Sequence, residues 1–269
     1  MSFNIAFPSN VLAPYIKQYW AVDANASMTH PYIHRIIPTG LIEFTFYFGQ
    51  KPKVSDEKMA INDNSIIQSH HKNYYDLIIE EDLNIFSIVF NTDGLKRFFR
   101  IPLNEFTGQN VSLRNLDPII EKELYKLLDD ERDFDKRIHI IEAFFYKRLA
   151  NDHTEDYSRF NHTVQLIRNK FGNVDIDHLA YEACLSRKQF ERKFIENIGV
   201  SPKQYLRIIR FQYALYLKGK VNDMSLSQLA YEAGYFDQSH FINEFKQYTG
   251  ITPKKYFDLN ETYSDYFDI

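Results

Sequence analysis

A single cysteine, Cys184, stands in 269 residues, so an internal disulfide is excluded and a reducing, cytoplasmic setting is expected. No run of about 18 apolar residues occurs, which leaves no expected membrane span. The opening Met1-Ser2-Phe3-Asn4 lacks the basic region and apolar core of a secretion signal. Also missing are a Ser/His/Asp arrangement, a phosphate-cradling glycine loop and any metal-ligand spacing. His70 and His71 are adjacent, and on a strand they would point to opposite faces. These gaps argue against an enzyme, and no catalytic residue, metal or cofactor is expected.

What the chain does have is a repeat. Leu-Ala-Tyr-Glu-Ala occurs at 179–183 and again at 229–233, an offset of 50. Phe190, Phe194, Gly199, Pro202 and Tyr205 then answer Phe241, Phe245, Gly250, Pro253 and Tyr256 at an offset of 51. A repeat of this period marks one supersecondary unit used twice. In the first copy Asp175 caps a short helix carrying Ile176, Leu179, Ala180 and Ala183. Cys184-Leu185 breaks it, and Ser186 caps a longer helix with Phe190 and Phe194 inward. The second copy substitutes a capping box at Ser225-Leu226-Ser227-Gln228, a turn at Gly234 and a cap at Asp237. Short helix, tight turn, longer helix is the helix-turn-helix pattern. Between the copies, Ser201-Pro202 opens a helix over 202–218 with Leu206, Arg210, Tyr213, Ala214 and Leu217 at helical spacing. Gly219 is placed to end it.

Residues from about 160 to 257 therefore resemble the DNA-binding domain of AraC/XylS-family transcription regulators. The match is carried by Leu179-Ala180, Ser186, Phe194, Gly199-Val200-Ser201-Pro202, Tyr205-Leu206, Arg210, Ala214 and Leu217. It continues through Leu229-Ala230, Gly234-Tyr235, Asp237-Gln238-Ser239-His240-Phe241, Phe245-Lys246, Gly250, Thr252-Pro253 and Tyr256. With the phenylalanines inward, the first longer helix presents Lys188, Glu191, Arg192 and Ile195, with Arg187 at its start. The second presents Gln238, Ser239, Ile242, Asn243 and Lys246, with His240 alongside. Arg and Lys suit guanine, Glu suits cytosine, and Asn or Gln suits adenine. Many family members carry arginine where this chain has Asn243, so the first unit is expected to supply more of the affinity. Tyr181, Tyr231 and Cys184 are read as packing residues.

Charge fits this division. The stretch 160–257 holds 14 Lys and Arg against 9 Asp and Glu, a net of +5, while the remainder holds 18 against 27, a net of −9. The chain total of −4 conceals that asymmetry.

The N-terminal part reads as strands. In 41–48, Ile42, Phe44, Phe46 and Phe48 alternate with Glu43, Thr45 and Tyr47; 33–37 and 85–90 are similar, and turns fall at 38–40 and 91–94. Two helices follow. Asp117-Pro118 starts one with Ile120, Leu124 and Leu127 on a face. Asp133 starts the next, with Phe134, Ile138, Ile141, Phe145 and Leu149 as either core or dimer seam. The fold class is α+β: a β-rich cupin-like barrel or sandwich with a helical pair over 1–151, a linker at 152–159, an all-α domain at 160–258 and an acidic tail at 259–269. The two units fall at about 174–199 and 224–250. A barrel can hold a small molecule, and Trp20, Arg35, Glu43, Tyr47 and Tyr75 are the candidate ligand-binding residues. His30 and His34 ahead of Glu43 lack the one-residue separation of a metal cupin.

The resemblance implies a transcription regulator, more often an activator, with double-stranded DNA as partner and RNA polymerase as a further one. A small-molecule effector and a homodimer are compatible with it. The alternatives are a DNA-repair alkyl acceptor using Cys184 and a ligand-independent regulator held by a protein partner.

Overall fold

In a computed structural model, residues 2–24, 31–99, 103–149, 155–221 and 223–259 are described, the side chains of 155–159 excepted. His30, residues 152–154 of the expected linker and the tail beyond Leu259 lie outside them. The strands are β1 Ser2–Ala6, β2 Ile16–Ala24, β3 Tyr32–Ile36, β4 Ile42–Tyr47, β5 Lys53–Val54, β6 Ser65–Gln68, β7 Tyr75–Ile79 and β8 Leu83–Phe90. Then come α1 Gly94–Phe98, β9 Asn110–Ser112, α2 Leu113–Leu116, α3 Pro118–Asp129, α4 Phe134–Leu149 and α5 Glu155–Asn169. The remaining helices are α6 Ile176–Glu182, α7 Arg187–Ile198, α8 Pro202–Lys220, α9 Leu226–Glu232, α10 Gln238–Thr249 and α11 Pro253–Asp258. The fold is α+β, with strands first and helices after. One antiparallel sheet has the order β1-β2-β8-β4-β6-β9, and a smaller sheet has the order β3-β7-β5.

Two compact units emerge, and they are not contiguous in sequence. The first takes Met1–His34, Leu41–Ser69 and Asp76–Thr154; the second takes Arg35–Gly40, His70–Tyr75 and Glu155–Ile269. α5 begins at Glu155, inside the segment expected to be a linker.

In the first unit, β4 lies between β8 and β6. Its register pairs Phe44 with Ile88 and Thr45 with Ser87. Ile42, Phe44 and Phe46 join Phe86, Ile88, Phe90, Leu124, Leu128, Ile141 and Phe145 in one core. The other face of β4 is buried too: Thr45 and Tyr47 are covered, so the alternation in the sequence does not mark a half-exposed strand. A central strand hides both faces. The hydroxyls of Thr45 and Ser87 lie 3.0 Å apart, Ser87 Oγ donates to Glu43 Oε2 at 3.1 Å, and Gln68 Nε2 donates to Thr45 Oγ1 at 3.1 Å. Those bonds satisfy the buried polar groups.

The helical pair forms as the caps dictate. Asp117 accepts from the Ile120 amide, and Pro118 sits at the first position of α3. Phe134, Ile138, Ile141, Phe145 and Leu149 of α4 all pack on the first unit's core, which selects the intramolecular alternative. Leu127 is exposed and Leu128 is buried in its place. Arg137, also buried, explains the turn between these helices. Its Nε donates to the carbonyls of Leu128 and Glu131, at 3.0 and 2.7 Å, and its guanidinium lies 3.9 Å from the Phe48 ring centroid.

In the second unit, α8 serves two cores. Tyr205, Leu206 and Ile209 pack with Leu179, Ala180, Phe190 and Phe194, whereas Ile208, Phe211, Ala214 and Leu215 pack with Leu229, Ala230, Phe241 and Phe245. The sequence showed one apolar stripe on this helix; the structure uses two. Gly219 does not end α8, which runs on to Lys220.

His70, 3% exposed, has its ring 6.3 Å from that of Tyr205, and its Nε2 makes no hydrogen bond among the described residues. Burial, then the neighbouring His71, lowers its pKa from 6.5 to about 3. Once unfolded, His70 takes up a proton below about pH 6.5; folded, it stays neutral down to about 3. The folded state therefore loses ground as pH falls through that window. His70→Asn is expected to lose less stability than the parent between pH 7 and 4.5, measured by urea unfolding; equal losses would contradict the assignment.

Candidate nucleic-acid interface

Each motif is built by its caps. Asp175 accepts from the Asp177 amide at the start of α6. Ser186 and Gln189 form a reciprocal capping box at α7 that the sequence reading did not name. Ser225 and Gln228 form the expected one at α9, and Asp237 accepts from the His240 amide at α10. The turns are the same motif twice. Cys184 N–H bonds to Tyr181 O and Leu185 N–H to Ala180 O; Gly234 N–H bonds to Tyr231 O and Tyr235 N–H to Ala230 O. This double bond pattern requires a left-handed residue after the helix. Gly234 has φ 82° and Cys184 has φ 55°. Cys184 is exposed, so it is a turn residue and not the packing residue expected.

The inward phenylalanines set the phase of α7 and α10. Phe190, Phe194, Phe241 and Phe245 are fully buried. Arg187, Lys188 and Arg192 are exposed on α7, and Glu191 is partly so. Gln238, Ser239, His240, Asn243 and Lys246 are exposed on α10, while Ile242 is half-buried against the core. All nine expected DNA-contacting residues thus lie on outer faces of the two longer helices. Some are already engaged. Arg187 reaches Asp177 at 3.0 Å and Glu191 at 3.1 Å, and Arg192 lies 3.7 Å from Glu196. The hydrogen bond to Glu191 and the nearby Asp177 raise the Arg187 pKa.

Sequence reasoning missed one feature. Glu244, 2% exposed, lies on the inward side of α10. Arg207 Nε of α8 donates to its Oε2 at 2.5 Å, Tyr235 Oη donates to its Oε1 at 2.9 Å, and His240 Nε2 lies 3.8 Å away. Burial is the largest influence on the Arg207 cation and opposes it, but the hydrogen bond to Glu244 together with the nearby Tyr248, Glu244 and Tyr235 charges raises its pKa. Burial and then Glu244 push the Tyr235 phenol well above its ordinary value. A carboxylate between Phe241 and Phe245 was the available signal; its partner, 37 residues earlier, gave none.

The ligand candidates divide. Trp20, Glu43 and Tyr47 share one face of the six-stranded sheet, since Trp20 and Thr45 both pair with Ser87. Trp20 Nε1 is buried and makes no hydrogen bond among the described residues. Arg35 is committed elsewhere in the second unit, donating to Thr249 O at 2.8 Å and lying 4.2 Å over Tyr74. Tyr75 stands edge-on to His71. A cavity of about 610 Å³ in the first unit is lined by Asp23, Phe48, Asp82, Asp129, Arg132 and Arg137, with none of the five candidates among its lining residues. No cluster of metal-ligating side chains occurs among the described residues, and no described helix is long and apolar enough to cross a membrane.

Two helix-turn-helix motifs joined by one helix define a class of nucleic-acid-binding fold. Residues 179–258 match the family model described as a helix-turn-helix domain, and residues 5–112 match a domain of unknown function (DUF6597). An uncharacterized HTH-type transcriptional regulator of Haemophilus influenzae is 38% identical over 93 residues, 35% of this chain and 31% of that one. The HTH-type transcriptional activator RhaS of Escherichia fergusonii is 27% identical over 108 residues, 40% of this chain and 38% of that one. The match thus spans well under half the length of these curated relatives. Among solved structures, ToxT from Vibrio cholerae aligns over 96% of this chain and 99% of that one, at 14% identity and a TM-score of 0.47. Over residues 179–258 the chain is thus similar to helix-turn-helix transcriptional regulators.

Two consequences are measurable. A Cβ at Gly234 would fall 1.8 Å from the Asn173 side chain, so Gly234→Ala is expected to destabilise. Cys184→Gly removes left-handed strain of about 1–2 kcal/mol against a smaller entropy cost, so it should leave stability equal or slightly higher. Thermal unfolding checks both, and a large loss in Cys184→Gly would refute the turn role. Second, Arg207→Met takes the cation from the buried Glu244 carboxylate and leaves it the Tyr235 hydrogen bond, for an expected loss of up to about 3–5 kcal/mol. Adding Glu244→Met should recover most of it in chemical denaturation.

Proposed function

We propose that this chain is a sequence-specific DNA-binding transcription regulator, an activator that docks α7 and α10 in adjacent major-groove segments. The carrying observation is the pair of capped helices in one compact unit, each presenting polar side chains from its first two turns. α8, with 19 residues, is about 28 Å long and matches the scale of one DNA turn, roughly 34 Å. Arg187, Lys188, Glu191 and Arg192 read one segment; Gln238, Ser239, His240, Asn243 and Lys246 read the other. The first unit of the fold supplies the signal input, and the unpartnered Trp20 Nε1, on the same sheet face as Glu43 and Tyr47, supports a small polar effector there. RNA polymerase is the partner at the promoter.

One observation favours a second reading. Cys184 is exposed, as an alkyl-accepting thiol would have to be. Its backbone role, however, is filled by Gly234 in the other copy, which carries no thiol. Full DNA binding by Cys184→Gly, with no repair defect, would dispose of it.

Genome-wide mapping of bound DNA is the primary test, and an asymmetric site covering two adjacent major grooves is the expected result. A site covering a single groove would sink the two-head reading. On the mapped duplex, Arg192→Ala is expected to cost about 1–3 kcal/mol and to flatten the salt dependence. Asn243→Ala should cost less. A larger loss for Asn243→Ala reverses the ranking of the two heads.

A further inference from the structure

Each motif presents one tyrosine that its packing does not use. Tyr181 is 78% exposed and Tyr231 is 79% exposed, against the packing role expected from the sequence. They are the same letter of the repeated Leu-Ala-Tyr-Glu-Ala. The leucine and both alanines of each copy are buried in its core, so those letters are explained by the fold. A large aromatic held in water at the same place twice is not.

Their position is informative. Residues four apart share a helix face. Four before Tyr181 is Asp177, whose carboxylate meets Arg187 at the start of α7 at 3.0 Å. Four before Tyr231 is Ser227, whose hydroxyl donates to Gln238 at the start of α10 at 2.6 Å. In both motifs the tyrosine therefore stands one turn further along the side of the short helix that meets the recognition helix at its N-terminal end. That end enters the groove, and the short helix crosses the sugar–phosphate backbone. At the start of α7, Lys188 is exposed and Arg187 is exposed but paired with Asp177 and Glu191; at the start of α10, Gln238 and Ser239 are exposed.

We infer that Tyr181 and Tyr231 each donate a phenol hydrogen bond to a phosphate oxygen, at matching places on two successive major-groove segments, and so set the register of α7 and α10. Phosphate contacts position a protein without reading sequence. That division accounts for a tyrosine kept in both copies while 187–193 and 238–243 diverge. The inference rests on the DNA-binding function proposed above. A phenol is neutral, so its contact releases no counterion and leaves the salt slope unaltered, unlike that of an Arg or Lys.

The test uses the full chain, its mapped duplex and a random-sequence duplex of equal length. Tyr181→Phe and Tyr231→Phe remove only an exposed hydroxyl, so folding is preserved and thermal unfolding verifies it. Each is expected to weaken binding about 5- to 20-fold, by the same factor on both duplexes, with an unchanged slope against salt. The double variant should show roughly the product of the two losses. Ethylation of single phosphates should locate one position per half-site at which parent and variant become equal. Affinity within twofold of the parent for both variants overturns the assignment. Unaltered affinity with lost promoter activation would give the tyrosines to a protein partner and overturns it equally. Should the parent bind no duplex, the regulator reading fails first and takes this one with it, before any variant is compared.

Discussion

α8 is buried on two sides, and the second unit depends on that. Ile208 and Ile209 are neighbours in sequence, yet one belongs to the core of the second motif and the other to the core of the first. A single rigid rod thus forms a wall of both cores. Short helices of seven residues such as α6 and α9 are too short to be stable alone; α9 packs on α8, and α6 packs on α5 and α7 in the core that α8 also lines. Because interiors are close-packed, α7 and α10 cannot rotate independently without opening a cavity beside this rod.

The two motifs are anchored to the rod by different physics. The first relies on apolar packing: Phe194 lies against Tyr205, and Phe190 against Phe194. The second adds charge, with Arg207 and Tyr235 converging on the buried Glu244. Lys193 is the counterpart of Glu244 in the first copy, so this device belongs to one head only. A buried ion pair contributes little net stability over a well-packed apolar pair, but it tolerates little displacement of its partners. The copies have therefore kept the same backbone turn and diverged in what surrounds it, down to a left-handed cysteine where the other uses glycine.

Legibility differed between the halves for physical reasons. Caps, turns and inward phenylalanines are local signals, and Asp175, Ser186, Ser225 and Asp237 act where the sequence placed them. The alternation in β4 was legible as a strand but misleading about exposure, because strand order is set by long-range pairing with β8 and β6. Leu127 and Leu128 show the same limit on a smaller scale. Both fit a helical stripe, and the rotation of α3 against its sheet decides which one is buried. The candidate ligand set was split for a related reason: Trp20, Glu43 and Tyr47 share a sheet face, while Arg35 is held by Thr249, more than 200 residues on.

By itself, the sequence determined the duplicated motif, the phase of its longer helices, the charge asymmetry and the division into strands and then helices. These depend on periodicity and on caps, which act within a few residues of chain. Only the tertiary structure decided that α8 serves two cores, that Glu244 is buried against Arg207, and that the repeated tyrosines face solvent. Each of those follows from packing between segments far apart in the chain. An apolar or aromatic letter records that a surface is available to be covered, and the fold alone determines whether another segment covers it.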